Sequence, residues 1–150
     1  MQPVSTASSP VRPRGCTNFK LRQLLRLVSV HYDAEMAHVG LKTTQYSLLS
    51  SITAHGPIRA VELAREMHMS ASTLSRNLRP LLEAGWVEQA PGPDARSWLI
   101  QVTAHGAAKR AEAQRRWRIA QEALNERLGA RHVAALHALI DESMTRLEAA

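Results

Sequence analysis

The sequence predicts a mainly α (α+β) fold, and three observations carry that expectation. Ala and Leu are abundant while the chain holds one Phe, two Tyr and three Trp, so aliphatic side chains of high helix propensity have to fill the core. Apolar residues recur at helical spacing, i, i+3, i+4, across both ends of the 150-residue chain. Only two short runs, 86–90 (WVEQA) and 98–102 (WLIQV), are strand-like, and they flank the turn-forming stretch PGPDARS.

The spacing of Leu21, Leu24, Leu25, Val28, Tyr32, Glu35 and Met36 predicts a first helix from Thr17 to Val39 with one buried face, capped by Thr17 or Asn18 and ended by Gly40. A second helix, from about Thr44 to Ala54, offers Tyr46, Leu48, Leu49 and Ile52 to the core before His55, Gly56 and Pro57 break it. The third runs from Arg59 to Met67 with its buried stripe at 60, 63, 64 and 67. The turn HMS follows. Ser70 is a good N-cap, because its hydroxyl can accept a backbone N–H of the next turn.

The fourth helix spans about Ala71 to Ala84, where Gly85 supplies a left-handed stop. Pro80 removes one of its hydrogen bonds and is expected to bend the last turn. Leu74, Leu78, Leu81 and Leu82 face inward, while Ser72, Thr73, Ser75, Arg76 and Arg79 form a polar face with no carboxylate before Glu83. Hydroxyls and guanidiniums in that arrangement suit phosphates and base edges in a DNA groove, although a solvated helix face has the same composition. The two strands then close a hairpin whose tip carries Asp94 and Arg96. An Arg on such a tip can enter a minor groove, held by the acid beside it; the plain alternative is a surface ion pair. Helix, turn, helix and ribbon in this order predict a winged helix-turn-helix at residues 57–103. Beyond it, Thr103 caps a long helix from Ala104 to Leu128 with the stripe Trp117, Ala120, Leu124 and Leu128, and a last helix from Ala130 to Glu148 carries Val133, Leu136, Leu139, Ile140, Met144 and Leu147.

The formal net charge is +6, which is compatible with a nucleic-acid partner without requiring one. The surplus lies outside 57–103, where five Arg (59, 65, 76, 79, 96) face five acids (62, 66, 83, 88, 94). Phosphate contact therefore depends on where a few Arg side chains are placed. No Gly-rich phosphate loop, GxSxG or HExxH occurs, so an enzyme is not expected. The seven His residues do not fall at metal-ligand spacing, and neither a metal nor another cofactor is expected. The single cysteine excludes an internal disulfide, and the absence of a leader or a membrane-length apolar stretch predicts a cytoplasmic protein with no membrane partner. Residues 1–16, rich in Pro and Ser, are expected to be a disordered tail.

The segments LKTTQYSLLSSI, ELAREMHMSASTLSRNLRPLLEAGWVE and PDARSWLIQVTAHG, with the long helices after them, resemble the MarR family of bacterial winged-helix regulators over residues 17–148. The D-x-R tip followed by a strand and a T-x-x-G helix start is the most specific part. The resemblance implies a homodimer on a pseudo-palindromic operator, usually a repressor released by small molecules or oxidants. By position it implies Ser70, Ser72, Thr73, Ser75 and Arg76 as major-groove and phosphate contacts, and Arg96 with Asp94 as the wing contact. It divides the chain into a helical dimerisation region, 17–42 and 104–150, and a DNA-binding domain, 43–103. Burial of three apolar helix stripes across a two-fold axis agrees with this, since a module of under fifty residues cannot cover them.

For an aromatic or phenolic effector, the residues offered are Arg22, His31, Tyr32 and His38 on the first helix and Trp117 on the fifth. Each is equally compatible with ordinary packing. Cys16, between Arg14 and Lys20 at a helix start, is the candidate for a redox alternative, against the plainer role of a small interface residue. A winged-helix module that binds protein without sequence-specific DNA binding is the alternative of another class.

Overall fold

A computed structural model describes residues 12–94 and 97–149. The expected tail lies mostly outside these residues, as does Arg96. In order the chain forms α1 (Thr17–Met36), a 3₁₀ turn (Ala37–Val39), α2 (Thr43–His55), β1 (Ile58–Arg59), α3 (Ala60–Glu66), α4 (Ala71–Glu83), β2 (Val87–Pro91), β3 (Trp98–Val102), α5 (Ala104–Leu128) and α6 (Ala130–Glu148). The mainly helical class and the winged helix-turn-helix are as the sequence predicts.

Two expectations of local structure are corrected. The N-cap of α1 is Cys16, not Thr17 or Asn18, and no side chain caps that end. The ribbon is a three-stranded antiparallel sheet of order β1-β3-β2, because Ile58 and Arg59 pair with Ile100 and Leu99 and so delay the start of α3 to Ala60. Two residues carry too little periodicity to be read as a strand. Their pairing fixes the end of α2 and the start of α3 to the base of the wing.

The core has two parts. In the first, Leu48, Leu49 and Ile52 of α2, Leu63 of α3, Leu74, Leu78 and Leu81 of α4, and Val87 and Ile100 of the sheet pack together and leave almost no surface exposed. This burial orients α4: its leucines are held inward, so its polar face must point out. The second cluster joins Met36, Val39 and Leu41 to Tyr46 of α2 and Ala113 of α5, with Trp86 and Trp117 against it. The terminal helices and the winged module thus share apolar packing where α1 meets α2.

A polar link reinforces this junction. Asp33 Oδ1 accepts hydrogen bonds from the backbone N–H of Thr43 at 2.9 Å and from its hydroxyl at 2.6 Å, so an α1 carboxylate caps the first turn of α2. An acid at that end satisfies an unpaired N–H and matches the helix dipole. Asp33→Ala is expected to cost about 1 kcal/mol in urea unfolding, with Asp33→Asn retaining most of the stability because its amide oxygen still accepts. Equal unfolding midpoints for Ala and the parent chain would remove the cap from the account.

The predicted stripes of α1 and α6 are only partly covered. Tyr32 and Met36 are buried. Leu21 and Leu25 are 54% and 65% exposed, as are Leu139 at 63% and Leu147 at 78%. One copy of the chain therefore leaves apolar helix surface in solvent at the positions where the sequence expected it to be covered.

Candidate nucleic-acid interface

The interface is built from the start of α4. Ser70 Oγ accepts the backbone N–H of Thr73 at 3.2 Å, donates to Thr73 Oγ1 at 2.9 Å, and lies 3.1 Å from Ser72 Oγ. Three of the four hydroxyls expected at DNA, the cap among them, are thus tied together, and they hold the first turn of α4 in one geometry. The turn before it is tight: His68 has φ +50, a left-handed conformation uncommon for a residue with a side chain.

Ser72, Ser75, Arg76 and Arg79 are all exposed on α4, and Thr73 is half-buried. The two arginines differ. Arg79 Nε donates to Glu83 Oε1 at 2.8 Å, and this hydrogen bond, with the attraction of the carboxylate, raises the guanidinium pKa further. Arg76 has no carboxylate partner among the described residues. Arg76 is therefore the cation of this helix left uncommitted.

On the wing, Gly92 N–H donates to the Ser97 carbonyl at 2.7 Å and Ser97 N–H to that of Asp94 at 3.2 Å, which closes the loop. Asp94 Oδ2 lies 3.4 Å from Arg59 Nη2. Arg59 was not among the expected site residues. Its pairing with Leu99 through β1 brings it beside the wing, and no sequence spacing signals that. The expected pairing of Asp94 with Arg96 falls outside the described residues. Between α3, α4 and the sheet runs an open groove of about 920 Å³ with Arg65, Ser75, Arg76, Arg79 and Gln89 among its lining. The polar crest of α4 and the wing stand on either side of this space.

Of the five effector candidates His31 and Tyr32 meet edge to face, with ring centroids 5.8 Å apart, yet the five do not gather around one cavity. His31 Nε2 lies 2.8 Å from the Ala120 carbonyl and lines a cavity of about 450 Å³ on one side of the α1–α5 pair. Tyr32 hydrogen-bonds to Gln121 and lines another, of about 400 Å³, between α1, α5 and α6. Burial raises the Tyr32 pKa, so its phenol stays protonated and donates. Trp117 stacks at a tilt on Tyr46, with ring centroids 6.4 Å apart. Arg22 is exposed and bonded to Asn18, and His38 is exposed beside the 3₁₀ turn. Cys16 is exposed ahead of α1.

Among the described residues no group of three His, Cys, Asp or Glu is placed to hold a metal ion, and no helix is long and apolar enough to cross a membrane.

Comparison with known proteins follows the same lines. The MarR family model matches residues 39–97. The multiple antibiotic resistance protein MarR of Salmonella typhimurium is 34% identical over 107 residues, covering 70% of this chain and 74% of that protein. An uncharacterised HTH-type transcriptional regulator of Bacillus subtilis, YwoH, is 29% identical over 84 residues, covering 56% of this chain; the match spans 61% of that relative. Among solved structures, a cysteine-to-serine mutant of Escherichia coli MarR in complex with operator DNA superposes with a TM-score of 0.77 at 25% identity, covering 84% of this chain and 91% of that one.

Proposed function

The chain belongs to the MarR family of transcriptional regulators, and from that premise we propose that it is a repressor that binds a pseudo-palindromic operator as a homodimer and is released by a small aromatic ligand. The observation that carries the DNA contact is the rigid, outward crest of α4: Ser72, Ser75 and Arg76 are exposed on a helix whose other side is locked in the core. Ser70 and Thr73 then grip phosphate at its first turn beside Arg79, and Asp94 with Arg96 makes the wing contact that the family resemblance implies.

The exposed apolar surface of α1 and α6 supports a two-fold dimer formed by residues 17–42 and 104–150, with residues 43–103 as the DNA-binding domain. Such a dimer sets two copies of α4 about one turn of DNA, roughly 34 Å, or a multiple apart. The candidate effector side chains line different spaces, so a ligand would occupy one of them and not bridge them all. Cys16 makes oxidation the alternative trigger, and its exposure is what favours keeping that alternative.

The test is fluorescence anisotropy on duplex from directly upstream of the coding region, beside a scrambled duplex. Tight binding to the first alone, at two protomers per site, is the expected result; aromatic acids and peroxide are then screened for release of that probe. Equal weak binding to both would mean that the operator lies elsewhere or that the preparation carries a bound effector, whereas binding to neither at low salt would leave the chain as a protein-interaction module. In the same assay Arg76→Ala is expected to cost about 1–3 kcal/mol and to relax selectivity at one operator position, as loss of a forked contact to guanine does. Weakening that is equal on every sequence would reassign Arg76 to the phosphates.

A further inference from the structure

Arg76 lines two spaces, one on each side of α4. One is the groove toward α3 and the wing. The other is a cleft of about 150 Å³ between α4 and the start of α2, where Arg76, Asn77 and Pro80 face Lys42, Thr44 and Gln45. Arg76 therefore stands on the crest, and Lys42 and Thr44 stand on its outer flank. With side chains a helix is about 10–12 Å across, close to the width of the major groove, about 12 Å. Whatever flanks a helix seated in that groove lies over a phosphate strand.

Resting on the DNA-binding reading above, we infer that Lys42, with the Thr44 hydroxyl, is a second phosphate-backbone contact, made on the side of α4 opposite the wing. Three features prepare the site. The Lys42 backbone is fixed: its N–H donates to Gln45 Oε1 at 2.8 Å, and its carbonyl accepts from Gln45 and Tyr46 at 3.0 and 3.1 Å. The side chain thus starts from a defined point, with only its flexible stem to order on binding. Both Lys42 and Thr44 are exposed. The charge is uncommitted: Arg59 is engaged by Asp94 and Arg79 by Glu83, whereas no carboxylate pairs with Lys42 or Arg76 among the described residues. The nearby acid, Asp33, is turned onto Thr43, whose N–H and hydroxyl both donate to Asp33 Oδ1. The contact thus belongs to the side chains and not to the helix end, whose first N–H is already satisfied.

A phosphate contact has a defined thermodynamic signature. Each one lost makes log K against log salt shallower by about 0.9, so a dimer losing one per half-site becomes shallower by about 1.8. The experiment compares Lys42→Gln, Lys42→Arg and Thr44→Ala with the unsubstituted protein on upstream and scrambled duplexes across a salt series, each variant first checked by thermal unfolding. The expected result is a slope shallower by that amount for Lys42→Gln, with affinity reduced by the same factor on both duplexes, and a parent-like slope for Lys42→Arg.

A Lys42→Gln protein with parent slope and affinity overturns the assignment while leaving the Arg76 reading intact. A loss confined to the upstream duplex also overturns it, since it makes Lys42 a base contact. Should Lys42→Gln fail to fold, a parent slope for Lys42→Arg together with weaker binding by Thr44→Ala on both duplexes supports the contact, and parent binding by Thr44→Ala counts against it. An unsubstituted protein that binds neither duplex removes this inference and the proposed function together.

Discussion

A Gly106→Ala protein is expected to unfold roughly 10 °C below the parent chain, a loss on the order of 3 kcal/mol, although the change adds one methyl group to a helix and Ala is the better helix former. A Cβ at this position would lie 1.8 Å from the Trp86 carbonyl oxygen and 2.7 Å from its carbon. These are backbone atoms, so no side chain can turn aside. The surroundings are tied as well. Thr103 N–H donates to that same carbonyl at 3.1 Å, the Thr103 hydroxyl donates to the Gly85 carbonyl at 2.7 Å, and Gly106 N–H returns a bond to the hydroxyl at 3.0 Å. Relief would require α5 to lift from the junction of α4 and β2, breaking this set and moving Trp86 away from both parts of the core. Thermal unfolding of both proteins at one protomer concentration reads the effect, because melting of an oligomer depends on concentration. A midpoint within about 2 °C of the parent would mean that the start of α5 can slide at little cost.

This junction shows what was legible in the chain. Thr103 as a cap could be read because it acts within one turn, whereas the Gly of the T-x-x-G start comes only with the family resemblance, its close approach to Trp86 being out of sight; α5 and α6 begin and end where spacing and caps place them. The same is true of Ser70 and of the four residues that α2 buries. Local hydrogen bonding and periodicity decide such features. Features decided by a distant partner were not legible. Asp33 caps α2 from ten residues earlier, across the 3₁₀ turn and the left-handed Gly40. Arg59 reaches Asp94 only because β1 pairs with β3.

The candidate effector residues fail to converge for a geometric reason. Successive residues of a helix point about 100° apart. His31 and Tyr32 are adjacent, so although their rings touch edge to face they line different cavities. Ser72, Ser75, Arg76 and Arg79, by contrast, lie at the 3–4 residue spacing that keeps side chains on one face. Glu83, four residues on from Arg79 and on that same side, engages it, a pairing that the same spacing allows.

For the proposed dimer, Leu139→Glu is expected to leave monomers and to weaken operator binding about a hundredfold or more. Two half-sites held by one dimer bind as a linked pair, and separation forfeits the effective concentration that linkage supplies, typically a factor of 10²–10⁴. Leu139 is a sharper probe than its neighbour Leu136. Leu136 is half-buried and lines the cavity between α1, α5 and α6, so a charge there also strains a single protomer. Leu139 is 63% exposed in one copy of the chain, so a carboxylate at that position costs the isolated protomer little. In a seam formed by α1 and α6 of two copies it would be a buried, unpaired charge, which is expensive. Light scattering gives the mass and anisotropy the binding; circular dichroism establishes that the helices persist. A variant that stays dimeric and binds like the parent would move the seam off this face of α6, and the exposed leucines of α1 would be the next to carry the charge. A variant that becomes monomeric yet keeps full affinity would instead separate dimerisation from operator recognition, leaving the α4 crest and the wing of one protomer to carry the affinity.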